Sequence, residues 1–267
     1  MQRFILFAAL VFSIAGCSER KNSFSRTYEL NDSAFTIGVI RESDSERLTR
    51  AIYREARVRP FASVDEGAKQ LMAGKIDAFV YDEHILRLAM WRYPDRFAIL
   101  PDPVDTDPSV IAVGWRRKEL VGKLNGFIAK YRSNGLYDDM FLRWCHDPGR
   151  TGDGVEDMPA IESAPEGSPI LRVGTDCDEE PNSFLDGRGM PTGFDIEFAR
   201  RFGAAEGMRV EIVCEDIEAL FTALAAGDID VIIDNLELDR SRKGVFYTDG
   251  YLDSDIMMMV RAEDAKE

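Results

Sequence analysis

Histidine is almost missing from this chain: His84 and His146 are the two among 267 residues. Four cysteines, Cys17, Cys145, Cys177 and Cys214, show no CxxC spacing, and each histidine lies far from any of them. Soft ligands this sparse argue against a zinc framework, and no metal is expected. There is no phosphate-cradling P-loop, no nucleophile elbow and no Cys/His pair, so nothing points to a cofactor or to covalent catalysis. Positive charge is also scarce: 33 Lys and Arg stand against 48 Asp and Glu, a net charge of −15. Binding to nucleic acid needs clustered basic residues, so it is excluded as a role. The acidic balance accounts for solubility by self-repulsion and names no partner.

Long apolar runs are absent after the first residues. "FILFAALVFSIAG" (4–16) follows Arg3 and is too short to span a bilayer comfortably. It has the layout of a secretory signal. Its end, "SIAGC", resembles a bacterial lipobox, which implies cleavage before Cys17 and lipid on that residue; the alternative is a plain signal peptide with an incidental cysteine. Residues 18–34 are then expected to be a polar tether.

What remains is a soluble body, 45% apolar and 30% charged, long enough for two domains. "FTIGVI" (35–40) reads as a strand. Ser43 with Glu46, and Ser63 with Glu66, fit helix capping boxes, and Gly74 is a natural helix stop. "IDAFVYD" (76–82) is a continuous apolar strand, as in a sheet covered on both faces. The alternation of strand and helix argues for α/β. Most informative is a repeat. "LMAGKIDAFVYD" (71–82) and "LAAGDIDVIIDN" (224–235) share a helix ending on Ala-Gly, a charged residue, Ile-Asp and an apolar strand. Two distant copies imply two similar α/β lobes. Between them, residues 146–170 are rich in Gly, Pro, Asp, Glu and Ser and read as a linker. Before the linker, "KELVGKLNGFIAKYRSNGLYDDMFLRW" (118–144) is expected to be helical, with Leu120, Leu124, Phe127, Ile128 and Tyr131 on one side.

These segments together resemble the family 3 extracellular solute-binding proteins, the amino-acid-type receptors of ABC importers. Residues 171–251, "LRVGTD…GFDIEFARRFG…EDIEALFTALAAGDIDVII…DRSRKGVFYTDGY", are similar to that family's first lobe. Residues 35–82 are similar to its second lobe, and 111–144 to the segment that returns to the first. The order differs from the family's. The implied fold is a two-lobed periplasmic-binding-protein-like α/β fold of type II, circularly permuted, each lobe a mainly parallel sheet flanked by helices. Residues 35–110 would form the second lobe, 111–145 the return segment packing on the first lobe, and 171–267 the first lobe. The new carboxyl end, near Val260, would lie at the hinge. The rival is a pair of truncated half-receptors.

The resemblance also implies a site. Arg242 matches the arginine that clamps a ligand carboxylate, Asp82 the acceptor of a ligand ammonium, and Ser43 a hydroxyl at a helix start. Departures matter as much. Glu179 and Asn182 stand where the family has an aromatic platform, Asp239 replaces a threonine, another nearby threonine is Glu237, and Asp234 and Asn235 occupy a stretch usually small and polar. Arg242 can therefore be paired with Asp239, and an acidic cleft favours a cationic or polyhydroxylated solute over a free α-amino acid. Cys177 and Cys214 lie just beyond two strands expected to be neighbours, compatible with a disulfide; two free thiols are the alternative. Cys145 is expected to stay free. The implied role is a lipid-anchored protein on the periplasmic or cell-surface side of a bacterial membrane, holding a small-molecule solute and partnering an ABC transporter permease or a sensor protein. It is not expected to be an enzyme. The alternatives are a sensory or scaffold lipoprotein with a degenerate cleft, or a dehydratase-like enzyme using a carboxyl such as Glu179 or Asp239 as acid.

Overall fold

A computed structural model describes residues 23–106, 108–146 and 158–266 of the chain. Cys17, the signal segment and linker residues 147–157 lie outside these residues.

The chain first lays down β1 (Thr36–Ile40), α1 (Asp44–Ile52), β2 (Arg57–Phe61), α2 (Val64–Met72), β3 (Ala78–Asp82), α3 (Glu83–Arg92) and β4 (Phe97–Ile99). The helices begin where capping chemistry places them. The Ser43 hydroxyl accepts the Glu46 N–H, and the Ser63 hydroxyl accepts the Glu66 N–H, each at 3.2 Å. The glutamates return a bond one residue earlier than in a standard box: Glu46 accepts from the Glu42 N–H and Glu66 from the Ala62 N–H. Gly74 takes φ +66° just after α2, a left-handed turn that suits glycine.

The chain then crosses to the other lobe and forms β5 (Val110–Gly114), α4 (Glu119–Ser133) and α5 (Leu136–Phe141). After the linker come β6 (Ile170–Thr175), β7 (Asp178–Glu179), β8 (Ser183–Leu185), β9 (Pro191–Thr192), α6 (Phe194–Ala205), β10 (Arg209–Cys214), α7 (Ile217–Ala226), β11 (Val231–Leu236) and β12 (Val245–Tyr247). Last is β13 (Ile256–Arg261).

Among the described residues two five-stranded sheets result, with orders β2-β1-β3-β13-β4 and β10-β6-β11-β5-β12. They match strand for strand. In each, three strands are parallel neighbours, and the fourth runs antiparallel between two others. The sheets are thus mixed, where a mainly parallel sheet was expected. The antiparallel strand is in each case the one that has just crossed between lobes. The crossings, near residues 104–109 and 252–256, run antiparallel to each other, with bridges Asp105↔Ile256 and Ser109↔Leu252. The fold is a two-lobed α/β periplasmic-binding-protein fold. Residues 178–192 add a small three-stranded sheet to the first lobe.

The repeat detected in the sequence appears as α2–β3 in one lobe and α7–β11 in the other. Gly227 ends α7 at φ +81°, as Gly74 follows α2. The apolar stripe of α4 is buried: Leu120, Leu124, Ile128 and Tyr131 are at most 3% exposed, in one core with Leu171, Val173, Phe194, Phe198, Phe202 and Val231. Residues 119–133 therefore complete the lobe made after the linker.

Two expected boundaries move. Residues 256–261 do not belong to the first lobe. Val260 pairs with Ala78 and with Ala98, inside the second-lobe sheet and away from the hinge. The physical reason is that Ile256, Met257, Met258, Met259 and Val260 are apolar on both strand faces, and only an interior strand buries both. Nor are residues 24–34 a free tether. Phe24 and Leu30 are 3% and 0% exposed, and Phe24 pairs beside Ala265.

The Cys177–Cys214 disulfide ties the loop after β6 to the end of β10, with Cα atoms 5.5 Å apart. Cys145 is buried and free, and burial pushes its thiol well up. Gly193, at the head of α6, has φ +120°, and a Cβ there would sit 2.2 Å from the Asn182 carbonyl oxygen. Backbone cannot retreat as a side chain can. Gly193→Ala is expected to cost roughly 1–3 kcal/mol, read as a lower denaturant midpoint at unchanged slope.

Candidate functional site

The strands β1, β3, β6 and β11 all point their carboxyl ends at the gap between the lobes. That gap is a cavity of about 1060 Å³, of a size to hold a small organic molecule. Among the described residues, twelve carboxylates and four arginines line it.

Asp82 ends β3. Its carboxylate accepts the Ser254 hydroxyl at 2.8 Å and the Asn235 side-chain amide at 2.9 Å. Burial raises its pKa to about 6, against the lowering effect of those two bonds. Glu179, on β7 of the opposite lobe, accepts the Tyr81 hydroxyl and the Asn182 amide. Burial, with the nearby Asp82 charge, lifts it to about 7. Asp234, on β11, accepts the Thr175 hydroxyl at 2.8 Å and the Asp176 N–H at 3.0 Å. Burial raises it well above the ordinary carboxylate value, with the Asp176 charge adding to the effect. Asn235 takes a left-handed φ of +48°, and its side-chain oxygen accepts the Ser109 hydroxyl at 2.5 Å. The Tyr81–Glu179 and Asn235–Asp82 bonds, with Arg47–Glu237 at 3.1 Å and an Arg92–Glu180 pair, join the two lobes across the cavity floor and rim.

Arg242 lines the cavity with its guanidinium already engaged. It pairs with Glu218 at 2.6 Å and Asp239 at 3.3 Å, and its centre lies 3.7 Å from the Phe221 ring centroid. Asp239 is further held by the Ser241 N–H and hydroxyl. Ser43 also borders the cavity, but its hydroxyl donates to the Ile40 carbonyl while capping α1. Of the eight residues expected to hold a ligand, seven border the cavity and Asn182 does not. Asn182 is 1% exposed and sits behind Glu179, its side-chain oxygen 2.9 Å from the His84 ring. It orients Glu179 without reaching the cavity.

Sequence reasoning missed several lining residues. Asp176 lies in the loop after β6 and Asp178 opens β7, where a strand's carboxyl end alone marks them. Glu237, named in the sequence as a departure from the family, has its pKa raised to about 7 by burial, with Asp44 and Asp82 adding to it and Arg47 opposing. Phe221 supplies an aromatic face from α7, where its helical spacing reads as core. Among the described residues, no group of three or more His, Cys, Asp or Glu side chains is arranged to hold a metal ion.

Comparison with known proteins places this geometry. Residues 171–266 match the model of the bacterial extracellular solute-binding proteins, family 3. The matched stretch itself runs from β6 across the hinge to β13. A probable histidine-binding protein of Neisseria gonorrhoeae is 26% identical over 101 residues, 37% of this chain and 38% of that protein. The arginine-binding extracellular protein ArtP of Bacillus subtilis (strain 168) is 26% identical over 98 residues, 36% of this chain and 38% of that protein. The chain thus matches well under half the length of these curated relatives. The solved arginine-bound domain 1 of TmArgBP is 31% identical, covering 36% of this chain and 82% of that one, with a TM-score of 0.29. Over residues 171–266, little more than a third of its length, the chain is similar to the bacterial extracellular solute-binding proteins, family 3.

Proposed function

We propose that this protein is an extracytoplasmic receptor that captures a small polar, cationic solute between its lobes and presents it to an ABC importer. The observation that carries this reading is the cavity itself. It lies at the carboxyl ends of the parallel strands, where such folds place ligands, and carboxylates dominate its walls. The two curated relatives are described as histidine- and arginine-binding, both basic solutes, which agrees with an acidic cleft. The two curated relatives are described as binding proteins, and we infer binding without turnover. Among the described residues no helix is long and apolar enough to cross a membrane. We assign attachment to lipid on Cys17.

The chain order is read as a circular permutation. Residues 110–141 supply β5, α4 and α5 to the lobe otherwise built by residues 170–255, and β13 returns the favour to the other lobe. Each lobe is completed by the segment that crosses into it, which supports one interlocked receptor over two truncated ones.

A thermal-shift screen of amines, amino acids and sugars tests the receptor reading, because a specific ligand stabilises the native state by mass action. A ligand at a hundredfold excess over its Kd adds about 2.7 kcal/mol. A scaffold role with a degenerate cleft is favoured by one observation, the occupied guanidinium of Arg242, and silence across all classes would support it. For the anchor, Cys17→Ser is expected to abolish metabolic labelling with a fatty acid and to release the protein from membranes. Unchanged labelling would contradict the assignment.

A further inference from the structure

We propose that the cleft selects an organic cation that carries two or more ammonium or guanidinium charges and no carboxylate. This rests on the receptor reading and narrows it: the site is the same cavity, and the class of ligand is new.

The first support is that the two places the resemblance marks for a ligand carboxylate, Arg242 and the start of α1, are already engaged by the protein's own groups. Arg242 has its guanidinium edges on Glu218 and Asp239 and one face on Phe221. The start of α1, where free N–H groups and the helix dipole would favour an anion, is closed by Ser43 and surrounded by Asp44 and Glu46 in its first turn. A ligand carboxylate entering either place would break charge-assisted bonds and meet like charge.

The second support is the cavity floor. Asp82, Glu179, Asp176 and Asp234 come from both lobes, at or near strand ends. Their hydrogen-bond donors are hydroxyls, side-chain amides and backbone N–H groups. Among the described residues, no lysine or arginine pairs with any of the four. Neutral donors hold these groups in place and bring no positive charge, so each of the four that ionises is unbalanced within a cavity that opens to water. One ammonium group can donate to three acceptors at once and supply the missing charge.

A single positive charge would not suffice. Arg47 divides its one charge between Asp44 and Glu237 on another part of the wall, which leaves a second acidic position beyond the floor. Glu237 and Glu179 both feel the Asp82 carboxylate, so the acidic lining is continuous from one position to the other. A cavity of about 1060 Å³ has room for an extended chain with a cation at each end.

Matched ligand pairs isolate the carboxylate. Agmatine differs from arginine, and cadaverine from lysine, by loss of that group alone. Calorimetric titration of the full chain in a mild non-ionic detergent is expected to show agmatine and cadaverine binding at least tenfold more tightly than arginine and lysine. Arginine or lysine binding as tightly as its partner would overturn the inference and leave the receptor reading standing. Binding of a sugar alone would do the same. No binding by any class would overturn both. Glu179→Gln, checked for an unchanged melting temperature, is expected to weaken agmatine by about tenfold; unchanged affinity would count against the floor as the binding position.

Discussion

Glu197→Ala should lower the stability of the protein by about 3–5 kcal/mol, the usual penalty for breaking a buried ion pair by removing one partner. Glu197 lies on α6 and is fully buried. Its carboxylate accepts two bonds from Arg143 at 2.9 Å, one from the Trp144 indole at 2.6 Å and one from Arg201 at 2.8 Å. Arg143 and Trp144 come from the segment before the linker, so this group fastens residues 142–146 to the lobe built after it. Alanine would leave Arg143 nearly buried without its main counter-charge and Trp144 without its acceptor. A drop of roughly 10 °C in melting temperature is expected. A change within about 1 °C would mean that the contact contributes nothing to joining these segments. Glu197→Gln keeps the shape and an acceptor while removing the charge, and should lie between alanine and the native protein.

The second large effect is a crossing of two pH dependences. Asp82, Glu179 and Glu237 have native pKa values raised to about 6, 7 and 7, chiefly by burial. A carboxyl with a raised native pKa binds its proton more readily folded than unfolded. The stability it contributes is therefore fully present below about pH 4 and is lost as pH rises through about 6 to 7. Asp195, buried on α6 with one carboxyl oxygen unpaired, moves in the same direction at about 7. The ligand-free protein is thus expected to gain stability from these groups between pH 8 and pH 5. A cationic ligand reverses the sign, because it binds the ionised carboxylates and must compete with protons at low pH. Each group that the ligand restores toward an ordinary carboxylate pKa contributes up to about two decades over that range. Affinity should fall about a hundredfold from pH 8 to pH 5, measured by calorimetry in buffers of different ionisation enthalpy, with protons released on binding near pH 6. Affinity that is flat or rises on acidification would contradict a carboxylate floor.

Local rules carried much of the fold, and tertiary choice decided the rest. The two helix–strand units were legible because a capped helix, a glycine stop and an apolar strand are all set by neighbours within a dozen residues. The run "DIMMMV" is apolar on both strand faces, yet nothing within it says which sheet takes it, since both sheets offer an interior antiparallel slot. The same division holds at the cavity. Asp82, Asp234 and Asn235 lie at strand ends, and a strand end faces the gap whatever the loops do. Asn182 sits in the small sheet of residues 178–192, where the turn geometry sends its side chain behind Glu179 instead of beside it. The pairing of Arg242 with Asp239 is a near-neighbour contact that the sequence suggests. Its stronger tie to Glu218 and its stacking on Phe221 depend on how α7 packs, and no spacing along the chain announces that.

The central claim is that a solute binds between the two lobes, on walls drawn from both. Amide hydrogen exchange tests it most directly, comparing the full chain with and without the tightest-binding solute from a panel of amines, amino acids and sugars. The account predicts slowed exchange at both walls together, in residues 40–47 and 81–85 of one lobe and 234–242 of the other, with the distant face of α4 unchanged. Protection confined to one lobe, or lying away from these residues, would contradict it.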